Sequence, residues 1–573
     1  MSTMEHAQNS NVHESVPSPL PLCLLLLSLF MLVFAITLRR DAGKIANHDL
    51  LRWDESTNSV VSANLARRLF PAMLRLNSLV DKAYETYDPM PKDSWLFNAY
   101  WQHISPLFAY VPVPFFVVEG KATIETKRLA YALVSFITGC IFIIGVAFFS
   151  KELMAAITAT IAAMLWIQAP FSRSLVTGKN FGTSDIVLAF TTTLCFVILL
   201  WYLRDTASQR TMQPRWRLIF YGIIFSLPLL VKHLLGVIPA VTFFTLFFYD
   251  QYCTKQDVRS FCLRFFFCIV PFLLLPLLYY GSLWLSSPET FSVEFSVAFK
   301  HMGNYEGLGR PWYYFLSYYL PRDYQIKPWM LVLVSGIILF LILKYKNLEK
   351  KQAVLLFLPA GLFFANLIMV SLVTSKTPNT MFQSYLFFIF IGLYSLVLLL
   401  PFPIFSRAAL PVRKITHFLL IVMFAVTMLF ATREFYLAQK EIYQKGNSSS
   451  LNTVHKRCYA FAECARDIGW GVGDLILLKT GYDDFWITYY FIFHTGAETR
   501  MYDNFLAIAR KQGKEFFIKR LREKYLRIIF IINKNKIASM HLPVHAETAA
   551  QCSIFLPSTR IIYLEPQEYD TLL

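Results

Sequence analysis

Charge is scarce in this chain, and acidic charge scarcest of all. Its 573 residues hold 37 Asp and Glu against 54 Lys and Arg, and charged residues make up 16% where hydrophobic ones make up 56%. With a mean hydropathy of +0.46, so little charge rules out a single water-soluble core and places most of the chain in lipid. A formal net charge of +17 would point to nucleic acid in a soluble protein. No basic face with interleaved aromatics occurs outside the apolar runs, so nucleic acid is excluded as a partner and the cations are read as loop charges that set membrane orientation. There is also no Lys or Arg among the first 18 residues. The apolar run PLPLCLLLLSLFMLVFAITL at 19–38 therefore lacks the basic flank and the small-residue cleavage site of a secretory signal, and is expected to remain as an anchor.

Ten further apolar runs follow, at about 127–150, 153–170, 185–203, 217–231, 234–249, 263–284, 329–343, 352–373, 383–402 and 415–432, for eleven spans in all. Each is near the length a bilayer core requires. The stretch 217–249 is one apolar run divided at Lys232 and His233, because two polar side chains in its centre belong at an interfacial turn. The segment ISPLFAYVPVPFFVVEG at 104–120 carries three prolines and is too short to cross, so it is expected to dip into the interface.

Loop charge sets the orientation. With the N-terminus in the cytoplasm, the cytoplasmic loops carry Arg204, Arg210, Arg215 and Arg217; Lys255, Arg259 and Arg264; Lys344, Lys346, Lys350 and Lys351; and Arg407, Arg413 and Lys414. The opposite short loops hold only Arg173, Lys179, Lys232 and Lys376. This is the positive-inside pattern. Arg39 and Arg40, just past the first span on the outside, run against it.

From about Arg433 the chain reads as soluble sequence. A helical stretch around HKRCYAFAECARDI and strand-like DLILLK, RIIFIIN and RIIYLE alternate as in a small α/β domain. An odd number of spans puts this domain outside the cell. Its Cys458, Cys464 and Cys552 allow one disulfide with at least one thiol left over, or three buried thiols. The expected fold is mainly α. It comprises a polar cytoplasmic tail (1–18), a polytopic transmembrane helix bundle (19–432, including a first outer loop at 39–126), and a small extracytoplasmic α/β domain (433–573).

Against this background the acids stand out. Asp54 and Glu55, in RWDESTNSVVSANLARRLF, lie just past the first span. Carboxylates at the water face of a helix bundle are placed to take a proton from an arriving group, which points to a membrane-embedded enzyme. They also suit capping of the following helix, whose Val61, Leu65 and Leu69 share a face expected to lie on the membrane surface. Asp185, in GTSDIVLAF, opens a span, where it or Ser184 suits an N-cap. Arg128, in TKRLAYALV, reads as a snorkelling anchor or a phosphate ligand, Lys232 likewise as a phosphate ligand, and His233 as a turn residue. Trp312, Tyr313, Tyr314, Tyr318 and Tyr319 form an aromatic belt at headgroup level.

Taken in order, the acidic pair after span one, the His-x-x-Pro-Leu element from His103 to Leu107, KRLAYALVSFITG, GTSDIVLAF, LPLLVKHLLGVIPA and RPWYYFLSYYLP with KPW resemble the bacterial protein O-mannosyltransferase and lipid A aminoarabinose transferase group of the GT-C superfamily. The resemblance runs over most of residues 20–400. The loop at about 285–328 is too short for the extra β-rich domain of eukaryotic protein mannosyltransferases, so the bacterial branch is the nearer one. The resemblance implies a glycosyltransferase that moves a sugar from a polyprenyl-phosphate carrier to a hydroxyl of a protein, lipid A or another glycan. It would act by inverting displacement at the periplasmic face of a bacterial inner membrane. It implies Asp54 as the base, Glu55 as its orienting partner or a metal ligand, and Asp185 as an acid that steadies either one. Arg128, Lys232, His103 and Lys376 would serve the carrier phosphate. Ile104 and Ser105 depart from the family's usual residues after the His, and Lys376 stands farther from Tyr385 than the usual pattern. No cofactor is required; a divalent ion remains open, although three convergent ligands cannot be named. A transporter or flippase of lipid-linked sugars is the rival reading, but it calls for two related halves and mid-membrane charges. Here no internal symmetry is present and the acids gather at one face.

Overall fold

The structure is a computed structural model. It describes residues 20–46, 62, 65–66, 69–70, 107–120, 123–177, 183–208, 214–232, 235–254, 257–286, 310–343, 348–373, 378–399, 413–447, 453–471, 473–480, 495, 497–539, 552 and 554–572. Asp54, Glu55, His103, His233 and Lys376 lie outside these residues.

The bundle is built from α1 (Leu20–Ile45), the short α2 (Leu107–Tyr110) and α3 (Val113–Glu119), α4 (Ile124–Ser150), α5 (Leu153–Gln168), α6 (Pro170–Val176), α7 (Thr183–Ser208), α8 (Arg215–Ser226) with a 3₁₀ turn at Leu227–Leu230, α9 (Val237–Thr254), and α10 (Val258–Ser286). It continues through α11 (Leu320–Asp323), α12 (Pro328–Leu343), α13 (Lys350–Leu372), α14 (Phe382–Leu399) and α15 (Arg413–Asn447). Among the described residues seven helices are long and apolar enough to cross a bilayer. The number is nine if the bent pairs α5–α6 (59°) and Phe315–Asp323 with α12 (100°) each make one span. Eleven spans were expected; the runs expected at 217–231 and 234–249 coincide with the shorter helices α8, with its 3₁₀ turn, and α9, which are not among these nine. The chain is a multi-pass integral membrane protein. The described part of 104–120 forms two short helices around Pro112, the second stopped by Gly120 in the left-handed region.

Burial sorts the spans. In α7, 78% of the apolar window lies inside the protein, against 11% in α10 and 17% in α15. The first is a central helix, and the other two turn most of their side chains to lipid. Phe142 of α4 fills the centre against the rings of Phe196, Phe387 and Phe390. Gly139 allows α1 to close on α4, because a Cβ there would stand 2.3 Å from the Phe30 ring. Leu65 and Ala66 are buried in this same core, so their helical turn packs into the protein and does not lie on the membrane surface as its amphipathic pattern suggested. The bundle simply offers that apolar face a better partner than headgroups.

α15 runs through Arg433 without a break. Beyond it lie α16 (Thr453–Asp467), β1 (Asp474–Lys479), β2 (Glu498–Met501), α17 (Tyr502–Gln512), α18 (Lys514–Lys524), β3 (Arg527–Asn533) and β4 (Thr559–Leu564). The sheet order is β2-β1-β3-β4, with β1 parallel to both β2 and β3, and β4 antiparallel to β3. Strand alternation sends Ile476, Leu478, Ile529 and Ile531 to the face covered by α16, and Leu475, Leu477, Ile528 and Phe530 to the face covered by α17 and α18. Ile124 of α4 belongs to the first of these cores, so the domain seats directly on the bundle. A disulfide joins Cys464 to Cys552, with Cα atoms 5.7 Å apart, and Cys458 is the buried cysteine outside the bridge.

Replacing Cys464 by Ser should cost the soluble domain about 2–4 kcal/mol, read as earlier proteolysis of its sheet on heating. At the turn between α4 and α5, burial and then the nearby Glu349 carboxylate raise the Glu152 pKa above the ordinary carboxylate value. A carboxyl with a raised folded pKa holds its proton better folded than unfolded. Stability is then greatest below the unfolded pKa and falls as pH rises through the folded one. Glu152→Gln should therefore raise the unfolding midpoint at neutral pH and flatten this acid-side dependence.

Candidate functional site

The spans alternate in direction, so the end of α1, the start of α4, the α5–α6 elbow, the start of α7, the turn before α9 and the start of α14 all meet at one end of the bundle, called distal here. That alternation gathers residues that are far apart in sequence.

At the start of α7, Asp185 lies within the first turn and not at the cap, since the helix begins at Thr183. Its carboxylate favours the positive end of the helix dipole. Asp185 is buried, and Lys232 donates to its Oδ1 at 2.5 Å from a side chain about one-quarter exposed. The backbone turn after α8 explains how Lys232 gets there: the Val231 and Lys232 amides donate to the Pro228 carbonyl, and Gly236 closes back onto the Lys232 carbonyl. Only glycine fits at 236, because a Cβ would stand 2.2 Å from the Pro228 oxygen. The apolar run 217–249 is thus broken where its polar centre indicated.

Tyr324, fully buried, lies within electrostatic reach of Asp185. Its ring packs on Phe171 at 4.5 Å and on Tyr385 at 4.9 Å, and the Tyr385 hydroxyl donates to the Tyr324 carbonyl at 3.0 Å. Below Asp185, Thr192 of α7 donates to Gln383, which donates to Asn366, which donates to Ser384. This buried polar chain ties α7, α13 and α14 together beneath the ion pair.

A second pair, missed by the sequence reading, joins the end of α1 to α6. The Arg173 guanidinium forks onto both oxygens of Asp41, with Nε to Oδ2 at 2.5 Å and Nη2 to Oδ1. Lys44 approaches the same carboxylate at 3.4 Å. In the sequence, Asp41 sits between Arg40 and Lys44 and passes for a neutralised loop charge. The one available signal was an acid at a helix C-terminus, where the dipole opposes it.

Arg128 is buried, and its Nη1 donates to the carbonyls of Lys44 at 3.2 Å and Ile45 at 2.9 Å. It caps the open carbonyl end of α1, a cation where the dipole wants one. These pairs also explain the charges that break the positive-inside pattern. Arg39 meets Glu434 at 2.5 Å, Arg173 meets Asp41 and Lys232 meets Asp185. The aromatic cluster carries its own cations, with Arg322 over Tyr318 at 4.6 Å and Arg310 over Tyr314 at 5.5 Å.

Of the expected site residues, the structure brings Asp185 and Lys232 into direct contact and sets Arg128 on the end of α1. Asp54, Glu55, His103 and Lys376 lie outside the described residues. Among the described residues no group of three His, Cys, Asp or Glu side chains is placed to hold a metal ion.

No family model matches this sequence, and no curated protein matches it. The structure is similar to the crystal structure of ArnT from Cupriavidus metallidurans bound to undecaprenyl phosphate. The TM-score is 0.51 at 12% identity, over 94% of this chain and 97% of that one. The apo state of the same ArnT gives a TM-score of 0.49 at 12% identity, over 86% and 91%. Archaeal oligosaccharyltransferase AglB from Archaeoglobus fulgidus, in complex with an inhibitory peptide and a dolichol-phosphate, gives 0.44 at 12%, over 88% and 69%. The chain therefore shares the GT-C type fold of the ArnT structure along nearly its whole length.

Breaking the Asp185–Lys232 pair from one side strands a buried charge, which costs roughly 3–5 kcal/mol for fully buried pairs and less here because Lys232 is partly exposed. Asp185→Asn and Lys232→Met should each lower the denaturant midpoint of the solubilised protein. The double variant should fall short of their sum, and strict additivity would mean the pair is not coupled.

Proposed function

We propose that the chain is a membrane glycosyltransferase that moves a sugar from a polyprenyl-phosphate carrier to a hydroxyl acceptor, with inversion, at the distal and extracytoplasmic end of its bundle. One observation carries the reading: a fold shared with undecaprenyl phosphate-bound ArnT over nearly the whole chain, with paired acids and bases gathered where the lipid-facing helices end. The disulfide in the domain seated on that end fits an oxidising compartment. The loop charges of the opposite end fit the cytoplasm. A bacterial inner membrane with a periplasmic active site agrees with both.

In this reaction the acceptor oxygen attacks the anomeric carbon, its proton passes to a carboxylate, and the bond from that carbon to the phosphate oxygen breaks. Asp54 is assigned as the base and Glu55 as its orienting neighbour, reached within ten residues of the end of α1. The departing polyprenyl phosphate needs little protonation, since its second pKa is near ~6, but it does need cations. Lys232 and Arg128 supply them from the described residues, with His103 and Lys376 as further contacts. Asp185 holds Lys232 in place until the donor arrives. The acceptor is a hydroxyl of a protein, lipid A or another glycan.

Purified full-length protein incubated with a panel of polyprenyl-phosphate sugars and hydroxyl acceptors should release the carrier phosphate and yield the inverted glycoside. Asp54→Asn should lower that turnover by about 10²- to 10⁴-fold while leaving the unfolding midpoint in place. Labelled donor that crosses a vesicle membrane with no phosphate released would instead identify a flippase.

A further inference from the structure

We propose that Asp41 and Arg173 are positioning residues for the distal site, an inference that rests on the glycosyltransferase reading. The placement of Asp41 is unfavourable on its own terms. It sits in the last turn of α1, where the helix dipole repels a carboxylate, and it is almost fully buried at the end of a lipid-facing helix, where an unpaired charge is expensive. A capping Asn or an apolar residue would serve the helix better. What Asp41 gains is the Arg173 fork, two parallel hydrogen bonds whose planar geometry fixes direction as well as distance.

That direction is passed on. Arg173 lies on α6, the seven-residue segment turned 59° from α5. Two residues earlier on the same segment, Phe171 packs on Tyr324 at 4.5 Å and on Phe382 at 6.1 Å. Tyr324 lies within electrostatic reach of Asp185, which holds Lys232 at 2.5 Å. The end of α1 is itself held by Arg128 through the Lys44 and Ile45 carbonyls. A connected series therefore runs from Asp41 through Arg173 and Phe171 to Tyr324, which lies within electrostatic reach of the Asp185–Lys232 pair. Ser172, between Phe171 and Arg173, is buried, and its hydroxyl has no hydrogen-bond partner among the described residues. The elbow is held by the ion pair on one side and the ring on the other, with the Ser174 hydroxyl donating to the Phe171 carbonyl at 2.7 Å within it. The fork is the charged anchor of this seven-residue helix, so losing it lets Phe171 and Tyr324 shift. A displacement of about 1 Å at a reacting centre costs on the order of 10²-fold in rate.

The test is steady-state release of carrier phosphate by purified full-length protein, with Asp41→Asn, Arg173→Gln, Arg173→Lys and the exchanged pair Asp41→Arg/Arg173→Asp. Rates are taken per folded molecule, with unfolding midpoints measured alongside. Asp41→Asn and Arg173→Gln should lower kcat by about 10- to 100-fold with the donor KM nearly unchanged. Arg173→Lys, which keeps the charge but loses the fork, should fall between these and the wild type, and the exchanged pair should recover most of the rate. If either single variant fails to fold, Arg173→Lys and the exchanged pair carry the same comparison. An active wild type whose folded variants keep the wild-type kcat overturns the positioning role alone. So does a loss confined to KM or to the unfolding midpoint. A wild type inert toward every donor overturns the glycosyltransferase reading, and this inference with it.

Discussion

A charge at the edge of a hydrocarbon slab has to be hydrated or neutralised, and the distal end of this bundle is organised around that demand. Asp41 with Arg173, Asp185 with Lys232, and Arg128 on the carbonyl end of α1 each join two elements distant in sequence. Each partner removes a cost that the other would carry alone. The bundle cannot close here in an arbitrary register, because a shifted helix would leave a carboxylate or guanidinium stranded in a low-dielectric surround. The ion pairs therefore specify the arrangement more than they stabilise it.

The same demand decides which positions are free for chemistry. Behind the pairs, the polar chain Thr192–Gln383–Asn366–Ser384 satisfies the groups that the bundle buries, and aromatic packing around Phe171, Tyr324 and Phe382 fills the remaining space. Rigid walls of this kind let a few ionisable groups be held with fixed geometry next to lipid, as the proposed polyprenyl-phosphate donor, with its charged head and apolar tail, would require. The soluble domain closes over this end through Ile124, and Tyr443 of α15 reaches Thr126 at 3.4 Å. The emerging α15 and the start of α4 are thereby joined beside Arg128.

Much of this was legible in the linear chain. Apolar run lengths located the helices, and the polar interruption at Lys232 located the turn before α9. The strand-like runs DLILLK, RIIFIIN and RIIYLE located β1, β3 and β4. The four-residue β2 was missed, since ETRM has no apolar alternation and is a strand only because β1 offers it an edge. The amphipathic turn at Leu65 was assigned to the membrane surface because its pattern cannot distinguish lipid from protein as the apolar partner.

Sequence alone determined the class of molecule: a lipid-embedded bundle followed by a small α/β domain, with an expected orientation read from its cations. Those properties follow from local quantities, namely run length, periodicity and the count of charges per loop. The tertiary structure decided which charges meet. Asp41 and Arg173 lie 132 residues apart and Asp185 and Lys232 lie 47 apart, and no local pattern marks them as partners. Only the alternating direction of the spans, with the bend at Pro170 and the tight turn at Gly236, brings them together, because pairing across helices is a property of how the helices pack and not of the order in which they are written.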